Sequence, residues 1–233
     1  MFNFQTILFM IKKILSIISF TLICIFNSNA QTVQDIFNTN ISITWFGIDY
    51  SHVKIVGTIN QFGGKTPVTA AELHDKYYAE WNHLILDEPE KYDIAKMINR
   101  RGVVKDISMI TALNASSSMD SIEVAATPYY SQEQIQKFVS AYPIENKKGI
   151  GLVFIAECLN KSYGGAYYHV VLFKMDTKEI LLQERVQGMV MGVGIRNYWA
   201  GSYLGVIEYI RDDRYPKWKK RYGASSTATE PKW

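Results

Sequence analysis

Three consecutive stretches constrain this chain most. Residues 150–159 are almost unbroken apolar sequence, residues 166–175 form a second apolar run, and residues 180–190 make a third expected strand. A strand whose neighbouring residues are all apolar has two faces to bury, so its sheet must be covered on both sides. Asn160 to Gly165 and Asp176-Thr177-Lys178-Glu179 are turn sequences, the second because Asp and Thr side chains bond nearby backbone N–H groups. The three runs are expected to form a C-terminal β-meander.

Helical sequence is available to cover it. Thr69 and Glu72 form a capping box, followed by Leu73, Tyr77, Trp81 and Leu84 on one helical stripe. Ser131 and Gln134 form a second box, followed by Ile135, Phe138, Val139 and Tyr142. A short helix is expected over 92–99, ended near Gly102, and a last one over 198–211. Trp199, Tyr203, Val206, Ile207 and Ile210 would pack that last helix on the sheet, with Gly201 and Gly205 allowing close approach. Upstream, Ile41, Ile43 and Trp45 alternate with Ser42 and Thr44, which predicts a strand over 41–56 interrupted at Asp49-Tyr50-Ser51-His52. Residues 60–67 suit a loop, 103–113 a strand, and 114–120 a polar loop. The fold class expected is α/β or α+β, a mixed and partly antiparallel sheet flanked by helices.

The N-terminal end has a different character. Lys12 and Lys13 precede an apolar run from Ile14 to Phe26, then Asn27-Ser28-Asn29-Ala30. That order is charged, apolar, then small, the anatomy of a secretion signal cut after Ala30. The run is shorter than the roughly 20 apolar residues of a membrane span. Met10 would begin a signal of more ordinary length. Cys24 follows Leu22 and Ile23 rather than a small residue, so it is expected to leave with the signal rather than carry lipid. Cleavage leaves 203 of the 233 residues, enough for one filled core. Two of the 25 lysines and arginines and none of the 22 acids fall in the signal, so the remainder carries one positive charge in excess. That near-neutral balance argues against a nucleic-acid binder. Cys158 is then the sole cysteine, and no internal disulfide can form. Residues 31–211 are expected to be one domain and 212–233 a polar basic tail. Lys217, Lys219, Lys220 and Arg221 lie there among Trp218 and Tyr222, a mixture that could touch anionic lipid or glycan, or simply remain solvated.

Several groups invite a functional reading. Gly192, Gly194 and Arg196 precede a helix, where backbone N–H groups and a guanidinium could hold an anion. The same glycines also suit a tight strand-to-helix turn, and the loop lacks the Walker and dinucleotide patterns. Asp49, Ser51 and His52 have the residue types of a nucleophilic triad, but neighbours on an extended segment point apart. Cys158 and His169 lie on adjacent expected strands and could form a thiolate dyad, against which stands the burial of Cys158 in apolar sequence. His74 and His83 are nine residues apart and do not share a helix face, and no cofactor or metal is expected.

Gly151-Leu152-Val153-Phe154-Ile155, then Val170-Val171-Leu172-Phe173 running to the Asp176 turn and Ile180-Leu181, then Gly188, Gly192-x-Gly194 and a helix near Trp199, follow a familiar order. The arrangement resembles envelope proteins grouped around the amino-terminal domain of the Tol-system propeller protein. The curli-secretion lipoprotein and lipoproteins that activate peptidoglycan synthases belong to the same broad group. The resemblance spans residues 150–211 with a fainter echo in 43–56, and it implies a mixed sheet flanked by helices in a binding or assembly module. This chain departs from those lipoproteins in lacking a lipid-attachment cysteine, and no family site is carried over.

The function expected is that of a non-enzymatic, exported envelope protein, periplasmic or extracellular, that binds another protein. Asp49, Tyr50, Ser51 and His52 at a strand end, with Arg196, Asn197 and Trp199 at a helix start, are the contact residues expected. The alternatives are a small anionic ligand at the Gly192–Asn197 turn and a thiol hydrolase using Cys158 and His169.

Overall fold

The sheet is built around one strand buried along its whole length. In chain order its members are β1 (Ile43–Asp49), β2 (Lys54–Val56), β3 (Val104–Lys105), β4 (Glu123–Val124), β5 (Ile150–Asn160), β6 (Gly165–Lys174) and β7 (Ile180–Met189). Every residue of β5 is buried. Along one edge β5 pairs with β6, which pairs with β7, both antiparallel. Along its other edge β5 pairs in parallel with β1 from Ile150 to Ile155, then with β2 from Cys158 to Asn160. β3 and β4 extend β1 and β2, also in parallel. The result is a mixed α/β sheet, mostly parallel by pairing, flanked by helices. The computed structural model describes residues 31–62 and 67–223. The expected signal with Lys12, Lys13, Cys24 and Ala30, the Gly63-Gly64 part of the 60–67 loop, and residues 224–233 lie outside the described residues.

Besides the short turns Val33–Phe37 and Ile59–Phe62, the second of which makes the start of the expected 60–67 loop helical, the helices are α1 (70–87), α2 (Ile94–Met97), α3 (Ser108–Ala115), α4 (Gln132–Ser140) and α5 (195–222). Leu152, Phe154, Val170 and Leu172 pack on one face with Trp81 and Leu84 of α1 and Trp199, Tyr203 and Val206 of α5. Val153, Ile155, Val171 and Phe173 pack on the other with Ile135 and Val139 of α4 and with Tyr142. Both capping boxes form, at Thr69 with Glu72 and at Ser131 with Gln134. At Gly188 on β7 a Cβ would overlap the Ser202 carbonyl oxygen, so glycine lets α5 approach the sheet. Gly201 does the same against the Met191 backbone, whereas Gly205 makes only ordinary contact.

Three further expectations are corrected. In α1 the residue turned inward is Tyr78, not Tyr77. Residues Leu73–Tyr77 form a π turn in which the Tyr78 N–H donates to the Leu73 carbonyl, and the extra residue advances the buried stripe by one. Residues 103–113 give only two residues of strand before α3 begins. Asp106 starts that helix by accepting from the Ser108 hydroxyl at 2.5 Å, and Ile110 and Asn114 are its buried residues, so Asn114 is not in a loop. The last helix begins at Ile195 rather than Tyr198 and does not stop at residue 211. A π turn, Ile210–Arg214, carries it into Tyr215–Tyr222, where Tyr215 and Trp218 are buried. The segment expected to be a polar tail is helical as far as Tyr222.

Candidate functional site

A row of side chains crosses the sheet where the apolar pattern is broken. Asp49 on β1 is in register with Ile155 on β5, Ile155 with His169 on β6, and His169 with Arg185 on β7. Glu157, two residues beyond Ile155, lies beside an irregularity between Ala156 and Cys158 that interrupts the ladder. Glu157 is fully buried, and a buried carboxylate must be paired. Arg185 supplies the partner, with Nε at 2.9 and 3.0 Å from the two oxygens and Nη2 at 2.5 Å from Oε1. The His169 Nε2–H donates to Oε2 at 2.8 Å, and the Tyr130 N–H donates to the same oxygen at 3.2 Å. The Gln183 amide approaches His169 Nδ1 at 3.1 Å as its donor, which fixes the ring proton on Nε2.

The consequences are electrostatic. Burial opposes ionisation of Glu157, but the hydrogen bonds from His169 and Arg185 outweigh it and hold the carboxyl below its ordinary range. Both ring nitrogens of His169 are engaged, so the cluster offers no free base. What it does instead is fix Arg185. The guanidinium lies 3.8 Å from the centre of the Tyr167 ring and 5.6 Å from that of Tyr129, a residue 72% exposed. Two oxygens of Glu157 and two rings thus hold one cation at the mouth of a groove.

That groove runs along β7. Among the described residues β7 pairs only with β6, so its outer edge is open. Two adjoining depressions of about 420 and 560 Å3 share Leu182, Gln183, Arg185 and Tyr222. The end of α5 forms one wall. It is docked by the Trp218 Nε1–H donating to Glu184 at 2.7 Å and by Arg214 paired with the same carboxylate. Lys217 pairs with Asp213, while Arg221 lies over the Tyr222 ring. Arg185, Arg214, Lys217 and Arg221 line the groove against one acid, Glu184.

The residues singled out from sequence are mostly elsewhere. Asp49 is fully buried and accepts from the Tyr142 hydroxyl at 2.8 Å and the Ser51 hydroxyl at 2.6 Å. Tyr50 is buried and stacks on Tyr78. The His52 ring stacks on Phe138 at 3.6 Å, and its carbonyl accepts from the Tyr130 hydroxyl. This segment links β1 to β2, with Asp49 and Tyr50 buried and Ser51 and His52 only partly exposed, and its residues do not assemble a triad. Trp199 is likewise buried, stacked on Phe62, and is no surface contact. Arg196 bonds its neighbour Asn197. The depression of about 260 Å3 at Gly192 and Gly194 is lined instead by Lys161, Phe62 and Tyr198 among others. Cys158 pairs in register with Tyr167, not with His169, and burial with the nearby Glu157 charge pushes its thiol up to about 12. The dyad is not assembled.

Sequence reasoning passed over Glu157 and Arg185. The signal was one carboxylate inside a doubly buried apolar strand, with ionisable residues in each of the next two strands. Among the described residues no cluster of His, Cys, Asp and Glu is placed to hold a metal, and no helix is long and apolar enough to cross a membrane. Comparison with protein-family models, with curated proteins and with solved structures finds no match.

Proposed function

We propose that this protein is a non-enzymatic, exported, envelope-associated module that binds an extended acidic segment of a partner protein along the free edge of β7. The observation that carries this is the juxtaposition of that ten-residue edge with Arg185, fixed on Glu157 between two tyrosines. An open edge presents main-chain donors and acceptors to an added strand, and pockets beside it select the side chains. Of the four cations lining the groove, Arg185, Arg214 and Lys217 are paired with Glu157, Glu184 and Asp213, so the excess is about one positive charge, carried at Arg221, which favours a carboxylate on the incoming strand. We take β5 to β7 as a C-terminal meander whose last strand faces the partner. The apolar runs and glycines that resemble the envelope modules around the Tol-system propeller protein support the same class of function. The signal-like first thirty residues support export.

The test is a photo-reactive residue placed at Gln187, exposed on β7, and separately at Lys105, exposed on β3, in cells that make the protein. One dominant adduct from Gln187 and none from Lys105 is expected. Background alone at both positions contradicts the reading. A second reading, a small anion at the Gly192–Asn197 turn, draws on Lys161, which lines the depression at the start of α5. Thermal stabilisation by inorganic phosphate, abolished by Lys161→Ala, is the result that favours it.

A further inference from the structure

Seven large apolar side chains stand exposed among the described residues, and four of them belong to one tip of the molecule: Tyr163, Met189, Met191 and Val193. Tyr163 lies in the turn between β5 and β6, and the other three lie where β7 runs out towards α5. The two segments are joined. The Lys161 carbonyl accepts from the Gly164 N–H at 3.0 Å, the Gly164 carbonyl accepts from the Val190 N–H at 2.9 Å, and Gly165 is in register with Met189. The backbone holds the exposure in place. Gly192 at φ 110° and Gly194 at φ 78° turn the chain on either side of Val193, which is 89% exposed. The Met191 N–H donates to the Tyr198 carbonyl at 3.1 Å and closes the stem of that loop on α5. Apolar area left in water is unfavourable, and exposed apolar side chains gathered at one place mark a contact with something else.

Charge decides what that contact is. Neither segment, 161–164 nor 189–197, contains an acid, and each contributes one cation, Lys161 and Arg196. Lys161 donates to the Phe62 carbonyl at 3.2 Å and lies 5.7 Å from the centre of the Tyr198 ring, and Arg196 donates to the Asn197 amide oxygen. These partners are uncharged, so both cations keep their charge for an anion outside the molecule. We infer that this tip rests on an anionic lipid bilayer, with Met191 and Val193 entering the acyl boundary, Tyr163 at the headgroup level, and Lys161 and Arg196 facing lipid phosphates. Tyrosine suits that depth because its ring is apolar and its hydroxyl stays wet. Cations beside apolar side chains add attraction to an anionic leaflet. A side chain as exposed as Val193 projects from its turn, which fits a yielding surface better than a preformed protein pocket. The contact rests on the proposed envelope association and gives it a surface. It uses none of the residues lining the β7 groove, so strand docking and lipid contact can fail separately.

The test is flotation of the chain left by signal cleavage, which begins at Gln31 and contains every described residue, with vesicles of phosphatidylcholine alone or mixed equally with phosphatidylglycerol. Binding to the mixed vesicles and not to phosphatidylcholine alone is expected. Met191→Asp together with Val193→Asp, both at exposed side chains, should weaken it by about tenfold or more. Lys161→Ala should weaken it by about fivefold. Val104→Asp, at an exposed apolar position on β3, should leave it unchanged. An environment-sensitive fluorophore attached through Val193→Cys should shift to the blue on the mixed vesicles, and one attached through Lys105→Cys should not. No flotation with the mixed vesicles, equal flotation with both kinds, or flotation indifferent to the Met191 and Val193 changes overturns the inference and leaves the tip to a protein partner.

Discussion

Asn82 of α1 and Asn114 of α3 donate to the same acceptor, the Ile48 carbonyl, at 2.9 and 3.0 Å. Their oxygens accept from the N–H groups of Ile48 and Tyr50 respectively, at 2.6 and 2.7 Å. Two helices therefore supply hydrogen bonds at the end of β1, where the ladder with β5 shifts register between Trp45 and Ile48. Gly47 sits in that shift at φ 107°, and a Cβ there would meet Asn82 Oδ1 at 2.5 Å.

The shared acceptor predicts non-additive energetics. Asn82→Ala strands the Ile48 N–H and Asn114→Ala strands the Tyr50 N–H, each costing about 1–3 kcal/mol. Either single variant leaves the Ile48 carbonyl one partner, and the double variant leaves none. The double loss, read from urea unfolding, should exceed the sum of the single losses by about 1 kcal/mol. Agreement with the sum to within about 0.3 kcal/mol would show the two amides acting independently.

Arg185→Ala leaves the Glu157 carboxylate buried without its cation. Breaking a buried pair costs about 3–5 kcal/mol, and partial exposure of Arg185 places the expected loss toward about 3 kcal/mol. A further signature is in pH. The Glu157 carboxyl is held below its ordinary value of 4.5 in the folded protein, so its stabilisation is present above that value and is lost as pH falls through the lower folded one. Glu157→Gln should flatten that part of the acid unfolding profile. An unchanged acid limb would mean that Glu157 does not contribute to it.

Cys158 should be inert in the native state. Its side chain is fully buried and its thiol is raised to about 12. An aromatic disulfide reagent at pH 8 should label it only at the rate of unfolding, and labelling should become immediate in denaturant. Fast labelling of the folded protein would restore the case for a reactive thiol.

The long strands and the starts of α1 and α4 were legible because their causes are local. Apolar runs mark β5 and β6, and the capping boxes at Thr69 and Ser131 form as their sequences require. What was not legible depends on contacts between distant segments. The β-prone stretch beginning at Val103 turns into α3 where Asp106, just ahead of the helix, accepts from Ser108 and where Asn114 reaches β1, 66 residues away at Ile48. Tyr78 displaces Tyr77 only through a π turn that no periodicity announces. Residues 215–222 look like a tail until Trp218 finds Glu184 across 34 residues. The site followed the same rule. Single-residue types near glycines or loops drew attention to Asp49 and Arg196, whereas the charged row needed the pairing register that brings Glu157, His169 and Arg185 together.

The most direct test of the central claim is to isolate the adduct formed at Gln187 and sequence the cross-linked segment of the partner by mass spectrometry. The groove along β7, with Arg185, Lys217 and Arg221 beside it, predicts an acidic segment that is extended over at least five residues, and an adduct lost in the Lys217→Glu, Arg221→Glu double variant. A basic or helical segment, or an adduct indifferent to that charge reversal, would contradict it.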